Sequence, residues 1–412
     1  MKPKILLATT ARWFSPARLA IALARAGCEI EAICPPGNVL EKTSVARCTY
    51  HYRALVPVNS FYRAIAASKP DLIIPGEDLA TLHLHEIHYR EQIRGSEGAR
   101  IASLIERSLG APTSFSLVYA RTALMEMAQK QGVLAPATEV VRSITDVRQA
   151  MARMGHPLVL KTDASSGGFG VRIVQSPHEA EVALARLGAP PALAPVLKWA
   201  IADCDYNLVL PFLLRKKRVV NAQQFIVGPE ATSAVACWKG KVLASVHFRV
   251  ICKQDRLGPS TVLALTKHPD MTFAEVTLVR QLNLSGLYGF DYILDEKSGR
   301  AYLIEINPRA TQVCHLAMGP GQDLAEAIYA ALTANSIRET PTITEKDTVA
   351  LFPQEWKRDA TSRYLSTAYH DVPWQEPRLV RACIETVPRS TVRIVGRKWP
   401  QSVLRKRAKS QE

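Results

Sequence analysis

No stretch of this chain holds the roughly 18–20 consecutive apolar residues that a membrane-spanning helix requires. The apolar run after Lys2 and Lys4 is only Ile5–Ala8, too short for the core of a signal peptide, so the expected compartment is the cytoplasm. None of the 8 cysteines stands in a Cys-x-x-Cys pair, and several sit in apolar runs such as Ile30–Cys34. Without a secretion signal they read as buried small hydrophobes in a reducing compartment. No Gly-x-Gly-x-x-Gly follows the first strand, so the dinucleotide fingerprint is missing. Internal repeats and low-complexity segments are missing too, and no Ser-His-Asp or Cys-His arrangement suggests a side-chain nucleophile. Acidic residues are outnumbered, 37 against 52 Lys and Arg, for a net charge of +15.

What is present is the composition of a soluble globular chain. Of 412 residues, 47% are hydrophobic and 22% charged, enough for roughly two to four domains with cores that need neither disulfides nor metals. The positive excess is uneven. From Arg378 to Glu412, ten Lys or Arg face only Glu385 and Glu412, so these 35 residues carry +8 and the other 377 carry +7. The run Arg405-Lys406-Arg407-Ala408-Lys409 could touch an anionic partner, but it lacks the interleaved aromatics of a single-strand binder and reads as a solvated terminus.

Periodicity organises the rest. Lys4–Ala8, Ala17–Ala26 and Glu29–Cys34 read as a β-α-β unit, and Asp71–Pro75 as a further strand with Gly76-Glu77-Asp78 at its carboxyl end, the edge where open α/β sheets place ligands. A boundary is expected at Ala111-Pro112-Thr113. Beyond it the pattern predicts helices over Tyr119–Gln131 and Asp146–Met154, a buried strand Pro157–Thr162, a glycine-rich loop Asp163–Gly170 and a returning strand Val171–Val174. Leu208–Leu214, Asn221–Ile226, Ser233–Trp238 and Val242–Phe248 read as successive antiparallel strands. Thr272–Leu282 and Gln322–Ala334 read as helices, and Gly286–Asp295 with Ala301–Ile306 as a hairpin-like pair. The expected division is 1–112, 113–222, 223–335 and a carboxyl-terminal segment 336–412 holding the basic tail.

Three clusters carry chemistry. In the first, Lys161 ends a strand and precedes Ser165-Ser166-Gly167-Gly168-Phe169-Gly170. Backbone N–H groups of such a loop can wrap phosphate oxygens, and the lysine adds a point charge. It is not a Walker loop, which puts Lys-Ser/Thr after its last glycine. In the second, Glu305 and Asn307 lie two apart on one strand and so share a face, while Asp291 lies 305 − 291 = 14 residues earlier across a turn. Their hard oxygens suit a Mg²⁺ that bridges nucleotide phosphates. The third, Gln223-Gln224-Phe225-Ile226-Val227-Gly228-Pro229-Glu230, could present backbone amides to a purine and Glu230 to ribose hydroxyls.

Lesser signals stand beside these. Arg249 precedes Gly258-Pro259-Ser260-Thr261 and is either a phosphate or carboxylate contact or a surface arginine. His85 and His88 have the i, i+3 spacing of metal ligands, though such a helix is more often solvated. His315 either lines the pocket or packs. Trp356 and Trp374 read as anchors for the carboxyl-terminal segment.

In this order the three clusters resemble the ATP-grasp superfamily, carboxylate-amine ligase type, over roughly Ala111 to Asn335. Glu305-x-Asn307-x-Arg309 after Asp291 is its most specific element. The resemblance implies a mixed α/β and α+β chain, a Rossmann-like amino-terminal domain followed by a two-subdomain ATP-grasp fold, with 113–222 the lid subdomain and 223–335 the large subdomain holding the metal. By resemblance Lys161 holds the α/β-phosphates, and Ser165, Ser166, Gly167 and Gly168 close over the β/γ-phosphates. Gln223 sits by the adenine amino group, with Phe225 and the Ile226 N–H beside the ring, and Glu230 binds ribose. Asp291, Glu305 and Asn307 hold Mg²⁺, with Mn²⁺ as an alternative, and Arg309 steadies the acyl phosphate, with Lys161 and Arg249 the other catalytic cations. Two positions depart from the family pattern: Arg121 stands where lysine is frequent, and Gln223 where glutamate is common.

The implied activity is an ATP-dependent ligase that joins a small-molecule carboxylate to an amine through an acyl phosphate, amino acids being candidate substrates. The implied partners are these small molecules, not nucleic acid or membrane, and a homodimer stays open. Rival readings are an ATP-grasp enzyme with a thiol or bicarbonate acceptor, and a non-catalytic nucleotide-sensing or nucleic-acid-binding protein.

Overall fold

Alternation decides the architecture of the amino-terminal third. The computed structural model describes residues 2–163, 170–190, 193, 196–197, 209–215 and 218–385. Lys4–Ala8 (β1), Glu29–Cys34 (β2), Ala46–His51 (β3) and Leu72–Pro75 (β4) form a parallel sheet in the order β3-β2-β1-β4. β1 is apolar at every position but its first because both its faces are covered. Ile5 and Leu7 enter one core, and Leu6 and Ala8 enter another with Phe61, Leu84 and Ile105 from the helices Pro57–Ser68, Asp78–Ile93 and Ala99–Leu109. Helix Ser15–Ala26 starts with proline in its first turn and stops at Gly27, whose φ of 120° disfavours a side chain and where a Cβ would lie 2.9 Å from the Tyr329 ring.

Thr138–Val141 (β5), Leu158–Thr162 (β6), Val171–Val174 (β7) and Val220–Gln224 (β8) make a small antiparallel sheet in the order β5-β8-β6-β7. Helices Ile144–Met154 and Pro177–Gly188 close one face over Leu158, Leu160 and Ala222. The first of these helices opens on a reciprocal Ser143–Asp146 capping box.

The large sheet gathers Glu230–Trp238 (β9), Lys241–Lys253 (β10), Ser260–Thr266 (β11), Gly286–Leu294 (β12), Ala301–Asn307 (β13), Thr348–Ala350 (β14) and Tyr369–His370 (β15), in the order β13-β12-β9-β10-β11-β14-β15. Helices Pro269–Gln281 and Arg121–Lys130 pack on one face with Tyr288, Phe290 and Tyr292. The other face joins β1, β2 and helix Leu324–Thr333 in one continuous core that includes Leu7, Leu23, Ala236, Phe248 and Ile328. The amino-terminal sheet and the large sheet are therefore two walls of one interior.

Several expectations need correction. Of the expected strand Leu208–Leu214, the described part is no strand: Val209–Leu213 is helical, and a proline at 211, which cannot donate to a ladder, disfavours a strand here. The histidine-rich helix is not solvated. His83 and His88 are buried, Tyr52 Oη lies 3.1 Å from His83, His88 lies 2.8 Å from Glu106, and His85 stacks on Phe115. Burial lowers the His85 pKa to about 3. Cys48 is exposed rather than buried, because β3 is the sheet's edge. Trp374 is 42% exposed. From the segment after 336, β14 and β15 extend the large sheet. The basic run 405–409 and Cys204 lie outside the described residues. Among the described residues, no helix is long and apolar enough to cross a membrane.

Candidate functional site

The site grows from a break in alternation on β13. Asp291 pairs with Glu305 but Tyr292 pairs with Leu303, so Ile304 is bulged out of the ladder. The bulge lets Leu303 and Ile306 both enter the core while Glu305 and Asn307 share the opposite face. Opposite Asn307 stands Gly289, where a Cβ would lie 2.2 Å from Thr311 Cγ2. The absence of a side chain there lets the loop after β13 fold back against the strand pair.

Asp291 is half-buried, and its two oxygens accept from Thr232 Oγ1 and Asn307 Nδ2, each at 2.8 Å. Burial, with the charge of Glu305 alongside, raises its pKa above the usual carboxylate value. Glu305 behaves oppositely. Burial pushes its pKa up, but Arg121, Lys161 and Arg309 outweigh that and hold it low. Two carboxylates on adjacent strands thus have their affinities for a proton pushed apart.

The small sheet and a helix packed on the large sheet supply two cations. Lys161 is buried near the end of β6, where burial and then the Arg121 charge lower its pKa to about 8. Arg121 opens helix Arg121–Lys130, and its Nη2 donates to Glu305 Oε1 at 2.7 Å while Nε donates to the Thr162 carbonyl at 3.1 Å. Asp163 accepts from Asn221 Nδ2 at 2.8 Å, and Thr122 Oγ1 donates to Asn221 Oδ1 at 2.8 Å, tying the two strands and the helix at this corner.

Arg309 follows β13. Its Nε donates to Asp78 Oδ2 at 3.0 Å and its Nη2 to Asn307 Oδ1 at 3.2 Å. Burial would lower its pKa, but Asp78 with Asp291 and Glu305 raises it, so it is cationic at any working pH. Asp78 comes from the carboxyl edge of β4, next to Glu77, which accepts from Thr9 Oγ1, Thr10 N and Ala11 N.

The structure therefore brings together Arg121, Lys161, Asp291, Glu305, Asn307 and Arg309. Glu230, at the start of β9, pairs with Lys253 at 2.7 Å. Gln223 is buried on β8, where its Nε2 donates to Thr138 Oγ1 at 3.1 Å, and Phe225 and Ile226 follow half-buried. Arg249 is exposed on β10 and pairs with no described side chain. Ser165, Ser166, Gly167 and Gly168 lie outside the described residues. His315 does not line this cluster: its Nε2 lies 2.7 Å from Asp371, a packed pair. Sequence reasoning placed Asp78 at a ligand-bearing edge but gave it no role, and it passed over Thr232, Asn221 and Lys253, whose partners are remote in sequence.

The donor set tests which cation fits. Among the described residues no group of three or more His, Cys, Asp or Glu could hold a metal. Two carboxylates and the Asn307 amide oxygen do not make a closed cage, but they match a Mg²⁺ whose remaining ligands are phosphate oxygens and waters.

Residues 209–313 match the sequence family described as "ATP-grasp domain". Among solved structures, the chain resembles carboxyaminoimidazole ribonucleotide synthase from Aspergillus clavatus, complexed with ATP, at 14% identity and TM-score 0.57 over 82% of this chain and 78% of that one. It also resembles the biotin carboxylase domain of Hydrogenobacter thermophilus 2-oxoglutarate carboxylase, in complex with MgADP, ADP and bicarbonate, at 17% identity and TM-score 0.54 over 82% and 71%. A third is an L-amino acid ligase from Bacillus licheniformis, at 13% identity and TM-score 0.53 over 82% and 78%. The fold is thus the ATP-grasp fold that the three clusters resembled.

Proposed function

We propose that this protein is an ATP- and Mg²⁺-dependent ligase that activates a small carboxylate as an acyl phosphate and passes the acyl group to an amine. The observation that carries the reading is the meeting of Asp291, Glu305 and Asn307 from the large sheet with Lys161 from the small sheet and Arg121 from a helix, with Arg309 beside them. Such a set is fitted to neutralise charge on a transferring phosphoryl group and needs no side-chain nucleophile.

In this reading a substrate carboxylate oxygen attacks the γ-phosphorus of ATP, the bond to ADP breaks, and ADP leaves. The amine nitrogen then attacks the acyl carbon, phosphate departs, and the amine gives up a proton. Bound Mg²⁺ would be held by Asp291, Glu305 and Asn307 and would supply charge neutralisation to the phosphate oxygens. Lys161 and Arg121 bind and orient the phosphates. Arg309 faces the acyl group and stabilises the oxygen that becomes negative when the amine adds. Gln223, Phe225, Ile226 and Glu230, on the strand exits beyond Lys161, receive the nucleoside. Ser165, Ser166, Gly167 and Gly168 cover the phosphates, and Arg249 offers a further charge to a phosphate or carboxylate.

The structural relatives include one solved with bicarbonate and one named for amino acids, so bicarbonate belongs among the acids to be tried. The test is ADP release from MgATP in a pairwise screen of amino acids, bicarbonate and amines. ADP release that needs both an acid and an amine supports the reading, and release unaffected by any pair rejects it. With the productive pair, Glu305→Ala should abolish ADP release while circular dichroism stays native, and near-normal turnover at saturating Mg²⁺ sinks the metal assignment.

A further inference from the structure

Arg309 is the cation assigned above to the acyl group, yet it sits among carboxylates that compete for it. Asp291 and Glu305 both attract its charge. Lying down on Asp291 would neutralise a group that the proposed metal requires, and Glu305 already accepts from Arg121 at 2.7 Å. What holds it elsewhere is a carboxylate from the amino-terminal domain, at the start of helix Asp78–Ile93. Asp78, 231 residues earlier in sequence, takes Nε at 3.0 Å, leaving Nη2 on the Asn307 amide oxygen. The third nitrogen, Nη1, has only a long 3.4 Å contact with the Ala310 carbonyl.

The pair is not needed to dock the two walls. The same junction already has two hydrogen bonds to the main chain: Ala310 N donates to the Pro75 carbonyl at 2.9 Å, and Thr81 Oγ1 donates to the Pro308 carbonyl at 2.8 Å. A continuous apolar core lies behind them. Asp78 is itself held at the start of its helix, where Tyr119 Oη donates to its carbonyl at 3.0 Å. Both side chains are mostly buried, at 14% and 19% exposure, and burying an ion pair is seldom worthwhile for stability alone. What this contact adds to a junction already made is direction.

We propose that Asp78 is the positioning residue for Arg309: by holding Nε from the amino-terminal side, it keeps the guanidinium off Asp291 and Glu305 and turns its remaining N–H groups toward the acyl phosphate. This rests on the role given to Arg309 above. It makes the amino-terminal domain part of the reaction centre, because Asp78 gives the arginine its one contact to a carboxylate among the described residues.

The test uses the full chain with ¹⁵N-labelled arginine. The Arg309 Nε–H resonance, assigned by its loss in Arg309→Lys, should be shifted and slow to exchange with water in the wild type. In Asp78→Asn it should move to the position of solvated arginines and exchange about tenfold faster, and Asp78→Glu should restore it in part. Calorimetry supplies the functional arm, with inorganic phosphate added to the MgADP-loaded protein as the probe. Asp78→Asn should weaken phosphate on the order of tenfold, leave MgADP affinity and native circular dichroism intact, and be rescued by Asp78→Glu. An unmoved Arg309 resonance in Asp78→Asn, or unchanged phosphate affinity where Arg309→Ala loses it, overturns the proposal and leaves Asp78 a docking contact. If Arg309→Ala itself binds phosphate normally, the role given to Arg309 fails, and the resonance still decides whether Asp78 orients it.

Discussion

Lys161 and Arg121 are buried cations that lean on the same carboxylate, and their proximity has measurable costs. The folded protein releases the Lys161 proton near pH 8, against 10.5 for the ordinary side chain. Between those values the unfolded chain binds more protons, so this group makes stability rise with pH across the window, while its full penalty applies below pH 8. Binding has the opposite sense, because phosphate needs the protonated form. MgADP affinity followed by calorimetry should fall as pH rises above about 8, and Lys161→Met should be weaker throughout and flatter in pH. Arg121→Ala strips Glu305 of its 2.7 Å partner. Glu305 keeps some solvent contact, at 26% exposure, so the loss should sit at the low end for a broken buried pair, about 3 kcal/mol in chemical denaturation, with Arg121→Lys recovering most of it. These residues were legible in the sequence because a strand's period of two puts Glu305 and Asn307 on one face whatever the fold. Asp78 was not, because its partner is 231 residues away and only the packing of two sheets brings them together.

At the level of elements, the site depends on an irregularity. A regular β13 would place Ile306 on the face opposite Leu303, but both belong to the same core because Ile304 is bulged out. Gly289 belongs to the same arrangement. Gly289→Ala brings Cβ to 2.2 Å from the Thr311 methyl and should cost about 1–3 kcal/mol in denaturation, with ADP release falling as Asn307 shifts. Thr311→Ser removes that methyl, so the double variant should recover stability; if it does not, the methyl is not what fixes the loop. Helices with strong stop signals, such as Ile144–Met154 before Gly155, and the hairpin β12–β13 could be read directly from residue patterns. Val209–Leu213 could not, because a short apolar run fits a strand or a buried helix equally. The histidines of Asp78–Ile93 were misread since burial, decided by Phe115, Tyr52 and Glu106 from other elements, leaves no periodic mark.

Across the whole molecule, Asp371 ties three distant stretches together. Its Oδ2 accepts from Arg18 Nη2 at 3.1 Å and lies 2.7 Å from His315 Nε2, and its Oδ1 accepts from Phe352 N at 2.5 Å. Asp371→Ala should therefore cost about 3 kcal/mol or more, read as a lower denaturation midpoint. Removing Arg405–Glu412, by contrast, should leave ADP release unchanged, and a collapse of turnover in that truncation would place the tail in the reaction. The shared core also bears on how the chain is made. Ile5, Leu7, Leu19 and Leu23 are covered in part by Ile328 and its helix, which emerge from the ribosome about 300 residues later. At roughly 5–20 residues per second, that is about 15–60 s during which the first β-α-β unit presents one apolar side without its lid. A nascent chain stalled before helix Leu324–Thr333 should be protease-sensitive in its first 34 residues and bound by chaperones, whereas one stalled past Asp371 should resist.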